Sequence, residues 1–222
     1  MSWQISNLTV KPARNSPQIV IRFWRRWPMD AIFHAFGDSQ QQSNERLFMP
    51  LLVLAYPKLS REDFDFIQRI RAKEDSLYYS AVDPHFTIVF PITQVGPDAF
   101  RKHVRDRSRT VSKFSFVLRC AVVDKDAFNP WNHVFLVPEE GYSRIVKLHD
   151  LLYTDILAPE LRLDLPFIPH IGVANALDPH HCKRIADSLN ADDLKFQGIV
   201  DDLTIVSLTD NRVTLVETII LG

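Results

Sequence analysis

Two stretches decide the fold: "DPHFTIVFP", residues 83–91, and "FIPHIGVAN", residues 167–175. Each sets a proline directly before a histidine, inside an apolar run. The apolar and β-branched content of both reads as strand. In the first, alternation along a strand puts His85 and Thr87 on one face. Phe86, Ile88 and Phe90 then fill the core on the other. The second stretch has Gly172 where the first has Thr87.

The surroundings of the two stretches match. Before the first, "LFMPLLVLAY" (47–56) reads as a buried strand and "SREDFDFIQRIRAKED" (60–75) as a helix. Ser60 is its N-cap, with Asp63 three residues on, and Phe64, Ile67 and Ile70 line one face. After it, "GPDAFRKHVRDRS" (96–108) is a helix with Pro97 in its first turn. The strands "KFSFVLRCAVVD" (113–124) and "NHVFLVP" (132–138) follow, joined by the loop "KDAFNPWN". The second half repeats the order. "EEGYSRIVKLHDLLYTDIL" (139–157) is an amphipathic helix, and "PFIPHIGVA" (166–174) is the second histidine strand. "DPHHCKRIADSLN" (178–190) is a helix starting near Pro179. "FQGIVDDLTIVSL" (196–208) and "RVTLVETIIL" (212–221) are strands joined by the turn "TDN". Helix, histidine strand, helix and two strands thus occur twice, the pattern of a duplicated α+β unit.

The fold class expected is therefore α+β. Two pseudo-symmetric lobes, each an antiparallel sheet with two helices outside, flank a central groove lined by the two histidine strands. Residues 47–222 form this bilobal domain, with interleaved lobes of approximately 47–137 and 138–222. Residues 1–46 form a basic and polar extension, partly ordered, with six Lys/Arg against three Asp/Glu. Its cluster Arg22, Trp24, Arg25, Arg26 and Trp27 suits RNA or an anionic surface, but the stronger expectation is that its aromatics pack on the main domain.

Composition sets limits. The 222 residues are 46% hydrophobic and 24% charged, which supports a packed core. A net charge of −1 gives no global argument for nucleic-acid binding, although a local pocket can still take a nucleotide or an RNA end. Two cysteines, Cys120 and Cys182, make no disulfide framework. The longest early apolar run has ten residues, too few to span a bilayer. The expectation is a soluble, cytoplasmic monomer with no membrane partner.

A histidine and a threonine side by side suit a phosphate: the imidazole moves a proton near neutral pH, and the hydroxyl donates to a phosphoryl oxygen. A lone histidine in a strand is more often structural. The pair is more specific, because both copies share the preceding proline and the same place in a repeated unit. Quoted together, "PHFTIVFP" and "PHIGVA" resemble the two signature motifs of the 2H phosphoesterases, which include the 2′-5′ RNA ligase and cyclic phosphodiesterase proteins. The resemblance covers about residues 47–222. It implies that His85 and His170 are the catalytic acid and base, that Thr87 binds phosphate, and that no metal or other cofactor is needed. The implied activity is hydrolysis of 2′,3′-cyclic phosphate or 2′-5′ linked nucleotide or RNA substrates.

The family pattern is His-x-Thr or His-x-Ser, twice, and Gly172 departs from it. One hydroxyl donor of the phosphate-binding set is missing. A bond to a charged group contributes about 1.5–3 kcal/mol, so its loss slows the reaction by about 10- to 100-fold. A general acid or base contributes about 10²–10⁴-fold each, so the histidines outweigh it. The alternatives are a non-catalytic RNA- or nucleotide-binding protein with a decayed second motif, and an RNA 2′-5′ ligase running the same chemistry in reverse. Phe128 and Trp131, in the loop between two strands, are candidates for base stacking, or for covering the core edge. Tyr78 and Tyr79 lie just ahead of the first motif, where one can reach the groove, although packing in the loop is the stronger expectation. His180, His181 and Cys182 adjoin at a helix start, where neighbouring side chains diverge and do not make a metal site. No glycine-rich phosphate loop or Gly-x-Ser-x-Gly elbow is present.

Overall fold

The structure is a computed structural model that describes residues 48–209 and 212–222. The readings of residues 1–46 lie outside the described residues. The elements run β1 (Leu51–Ala55), β2 (Lys58–Leu59), α1 (Arg61–Glu74), β3 (Phe86–Ile92), α2 (Pro97–Ser108), β4 (Phe114–Lys125), β5 (Asn132–Glu140) and α3 (Tyr142–Leu152). A 3₁₀ turn (Asp155–Glu160), β6 (Ile171–Ala176), α4 (Pro179–Ala191), β7 (Phe196–Val200), β8 (Asp202–Thr209) and β9 (Arg212–Ile220) follow. Helix starts obey local chemistry. Ser60 Oγ accepts the Asp63 amide at 3.0 Å, and the Asp178 carboxylate accepts the His180 amide at 2.9 Å beside Pro179.

The strands make two antiparallel sheets, ordered β3-β1-β8-β9 and β2-β7-β4-β5-β6. Each sheet takes strands from both halves of the chain. The two histidine motifs therefore end in comparable places: β3 is an edge strand of the first sheet and β6 an edge strand of the second. Inner faces of both sheets meet in one core that includes Val53, Phe86, Ile88, Phe116, Leu118, Val134, Leu136 and Ile171. Phe86 and Phe116 cross edge to face at 5.0 Å and tie the sheets together. Leu54 pairs with Thr87 in register, so Thr87 shares its face with a smaller cluster of Leu52, Leu54 and Val206.

Two expected elements are corrected. The single strand read over 196–208 is two strands in different sheets, with Asp201 between them. The apolar pattern runs on unbroken, but the Asp201 carbonyl accepts the Leu221 amide at 2.9 Å and its carboxylate pairs with Lys58, which pivots the chain. The helix read to residue 157 ends at Leu152. Tyr153 leaves it, and its hydroxyl accepts the Phe90 amide at 3.0 Å.

Gly141 begins α3 with φ +83, and a Cβ there would sit 2.7 Å from Phe116 Cβ and 2.8 Å from the Ser115 carbonyl oxygen. Strain and clash add, so Gly141→Ala should lower unfolding stability by at least about 1–3 kcal/mol in urea titration. A change under about 0.5 kcal/mol, the ordinary range for an unstrained surface site, would contradict this close approach.

Candidate functional site

The prolines before the histidines have a geometric effect. His85 Nδ1 bonds the Asp83 carbonyl oxygen at 2.7 Å, and His170 Nδ1 bonds the Ile168 carbonyl oxygen at 2.6 Å. In each case the carbonyl belongs to the residue before the proline. Proline fixes its own φ and keeps the preceding residue extended, so that carbonyl is held beside the ring. A carbonyl only accepts, so Nδ1 carries the hydrogen and donates. In the neutral ring Nε2 is then left with its lone pair. Among the described residues neither Nε2 makes a hydrogen bond. Two rings thus present the same nitrogen, set by the same tripeptide device.

Several contacts bring the two edge strands together. Phe90 of β3 meets Phe167 edge-on at 6.5 Å. His149 of α3 donates from Nδ1 to the Ile88 carbonyl at 2.8 Å, and its ring lies flat on Phe167, 3.7 Å away at 9°. One buried imidazole therefore grips the strand after His85 and the segment before His170. A charge on His85 disfavours a proton on His170. Both are half-buried. Burial is the largest cause holding the His85 pKa down to about 4, and the Arg71 charge adds to it. Burial likewise lowers the His170 pKa to about 4, followed by the charges of His85 and His133.

Arg71 and Asp75 make the support beneath. They pair at 3.1 Å with side chains only 2% and 3% exposed. Arg71 also donates to Gln68 Oε1 and to the carbonyls of Tyr78 and Val82. Asp75 accepts the Tyr78 amide at 3.1 Å and the side-chain amide of Asn175 on β6. The segment entering the first motif and the strand leaving the second are thus held by one ion pair. Its desolvation is offset only because the bonds around it are made.

Thr87 lies on β3 two residues beyond His85, and among the described residues its hydroxyl makes no hydrogen bond. Gly172 is the cross-strand partner of Phe135 on β5. Phe128 is exposed, with the Arg162 guanidinium 5.2 Å from its ring centre, whereas Trp131 is half-buried at the loop's end. Asp126 organises that loop, accepting the Phe128 and Asn129 amides, and it also faces His133 Nε2 at 3.3 Å. Tyr78 does not stay in its loop: its ring lies over His133 at 6.2 Å, while Tyr79 is exposed. His180, His181 and Cys182 diverge. His181 bonds Glu74 at 2.7 Å, Cys182 is buried against the Asn132 carbonyl, and His180 is exposed.

Reading the sequence alone missed Arg71, Asp75, Asn175, His149 and Phe135. Arg71 left a trace, since it stands four residues after Ile67 on the apolar face of α1. A charge on that face is a sign of a buried partner. The others left none, because each acts across a separation no local pattern records.

The same architecture occurs in known proteins. The model of the 2′-5′ RNA ligase superfamily matches residues 57–212. A Bacillus licheniformis protein, assigned as a phosphoesterase by inference, is 27% identical over 145 residues, which are 65% of this chain and 83% of its own. A Geobacillus protein with the same description is 24% identical over 159 residues, 71% of this chain and 89% of its own. Among solved structures, Escherichia coli LigT complexed with 3′-AMP superposes with a TM-score of 0.50 at 16% identity, covering 78% of this chain and 98% of LigT. A Thermus thermophilus protein gives 0.50 at 18%, with the same coverage. At these identities the structural likeness is one of fold.

Two expectations test the site's electrostatics. Between pH 6.5 and about 4 the unfolded chain protonates His85 and His170 while the folded chain does not. Stability from these rings is present above pH 6.5 and is lost as pH falls through that window. Denaturant midpoints should therefore drop between neutral pH and about pH 4, and the drop should shrink in H85Q/H170Q. An equal drop in both proteins would contradict it. Separately, Asp75→Ala strands a buried guanidinium and should cost about 3–5 kcal/mol by chemical denaturation. A loss below about 1 kcal/mol, the range of exposed pairs, would mean that the ion pair is not sealed from water.

Proposed function

The chain belongs to the 2′-5′ RNA ligase superfamily, a family of 2H phosphoesterases, and we propose that it is a phosphodiesterase that hydrolyses 2′,3′-cyclic phosphate or 2′-5′ linked nucleotide substrates with His85 and His170 as its acid–base pair. The observation that carries this reading is the pair of imidazoles, each with Nδ1 tied to the carbonyl before a proline and Nε2 unbonded among the described residues. The nucleotide named with the LigT structure supports a nucleotide as the ligand class.

The chemistry needs one neutral and one protonated ring. The neutral Nε2 takes a proton from water as the oxygen attacks phosphorus. The protonated Nε2 gives its proton to the departing ribose oxygen, so the P–O bond breaks without releasing an alkoxide. Nδ1 stays bonded to its carbonyl throughout, which keeps each ring in the orientation its role requires. Thr87 donates its hydroxyl to a non-bridging oxygen, where negative charge builds. With a 5′-hydroxyl in the place of water, the same groups open a 2′,3′-cyclic phosphate: the 5′ oxygen bonds phosphorus, the P–O3′ bond breaks with a proton given to the 3′ oxygen, and a 2′-5′ linkage remains. Ligation is therefore an activity of the same site, separable by assay.

The low proton affinity of both rings makes a prediction about pH. Above about pH 4 the free site holds its single catalytic proton less and less. The anionic phosphodiester raises that affinity once bound. The fall in kcat/KM with rising pH should thus come at lower pH than the fall in kcat. Coincident profiles would show that substrate charge is not felt by the rings.

Single substitutions test the roles. His85→Ala or His170→Ala should lower turnover of a 2′,3′-cyclic nucleotide by about 10²–10⁴-fold. Thr87→Ala should lower it by about 10- to 100-fold. EDTA should leave it unchanged. Wild-type protein that binds a nucleotide phosphate but forms no product on prolonged incubation would replace hydrolysis with a binding role.

A further inference from the structure

Gly172 stands where the second motif would carry its hydroxyl, and its surroundings differ from those of Thr87. Phe135, its partner across β5 and β6, lays its ring on the His170 imidazole, 3.6 Å between centres and 18° between planes. His85 has no such cover: its ring contact among the described residues is Tyr56, 6.0 Å away and tilted by 60°. Phe135 is itself backed by His133, nearly parallel at 5.6 Å, and His133 is held by Asp126. The stack on His170 is therefore anchored to the loop that follows β4.

The glycine is not demanded by its backbone, which lies outside the left-handed region. A Cβ built there meets only a Phe135 ring carbon, at 4.0 Å. The first atom of a side chain fits. Further atoms on that side compete with the ring that lies on His170.

We propose that Phe135 is the positioning residue of the second half-site, fixing the plane of His170 in a motif whose own hydroxyl is absent. Gly172 then marks a rebuilt half-site in which a side chain has given way to an aromatic ring from the neighbouring strand. The inference rests on the acid–base reading of His170. Its physical basis is twofold. A flat ring limits the imidazole to rotations within its own plane, and the Nδ1 bond to Ile168 then fixes that rotation too. The ring also keeps water from one imidazole face, consistent with burial as the largest cause of the low His170 pKa.

The test uses the full-length protein with Phe135→Ala, Phe135→Leu and Phe135→Tyr. Imidazole titration is followed by NMR, with parallel kinetics on a 2′,3′-cyclic nucleotide. In Phe135→Ala the His170 titration should move up toward 6.5 while that of His85 does not rise. Phe135→Leu, which keeps apolar bulk, should move it in the same direction, and Phe135→Tyr should restore it. The kcat should fall at least about tenfold in the Ala variant, the order expected when a general acid or base loses its alignment, with a smaller change in KM. Gly172→Thr alone should lower kcat, and adding Phe135→Ala to it should recover part of the loss.

Two results would overturn the proposal. One is a His170 titration unmoved in the Ala and Leu variants while thermal stability drops, which would make Phe135 packing alone. The other is Gly172→Thr faster than wild type, which would make Gly172 a lost donor. The titration needs no turnover. A shift of His170 as expected in a protein that hydrolyses nothing would support the positioning role and sink the hydrolase reading instead.

Discussion

The buried pair of Arg71 and Asp75 is the constraint on which both halves of the site depend. Two charges this deep are stable only when every donor and acceptor around them is used. That requirement recruits the Tyr78 and Val82 carbonyls, the Tyr78 amide and the Asn175 side chain. The recruited groups are the chain just before the first histidine motif and the strand just after the second. A polar network of this kind cannot slide, because each displaced bond leaves a buried group unpaired. The spacing of the two motifs is thereby set from below.

Around this support the two motifs use one local device and two different environments. Proline before histidine brings a backbone carbonyl to Nδ1 in both, so the nitrogen left unbonded among the described residues is the same. Beyond that, symmetry ends. The first motif has a hydroxyl two residues on and, among the described residues, no ring stacked flat on its imidazole. The second has glycine and a covering phenyl ring. The proline before each histidine accounts for the shared device, and the separate sheets for the difference: β6 lies against β5, which supplies Phe135, whereas β3 lies against β1, which supplies Leu54. His149 then bridges the halves through Ile88 and Phe167.

Much of this was legible in the residues and some of it was not. Ser60, Pro97 and Pro179 announce helix starts by local bonding or by a missing amide, and each helix begins there. The alternation in "HFTIVF" puts Phe86 and Ile88 in the core, but it breaks at the register irregularity against β1, where Val89 is buried and Phe90, also expected in the core, is half-buried. The switch of sheets at Asp201 escaped notice because "FQGIVDDLTIVSL" keeps a strand pattern throughout, and nothing local says which sheet a strand joins. Tyr78 read as a loop residue because its partner, His133, is far along the chain.

By itself, then, the sequence determined most of the elements and the two histidines with their prolines. These depend on interactions among residues a few positions apart, and spacing records them. Only the tertiary structure decided which strands share a sheet, that Arg71 and Asp75 are sealed from water, and that Phe135 covers His170 while nothing comparable among the described residues covers His85. Those facts come from cross-strand register and from contacts across large separations, where side chains meet because the core closes and not because the local pattern asks for it.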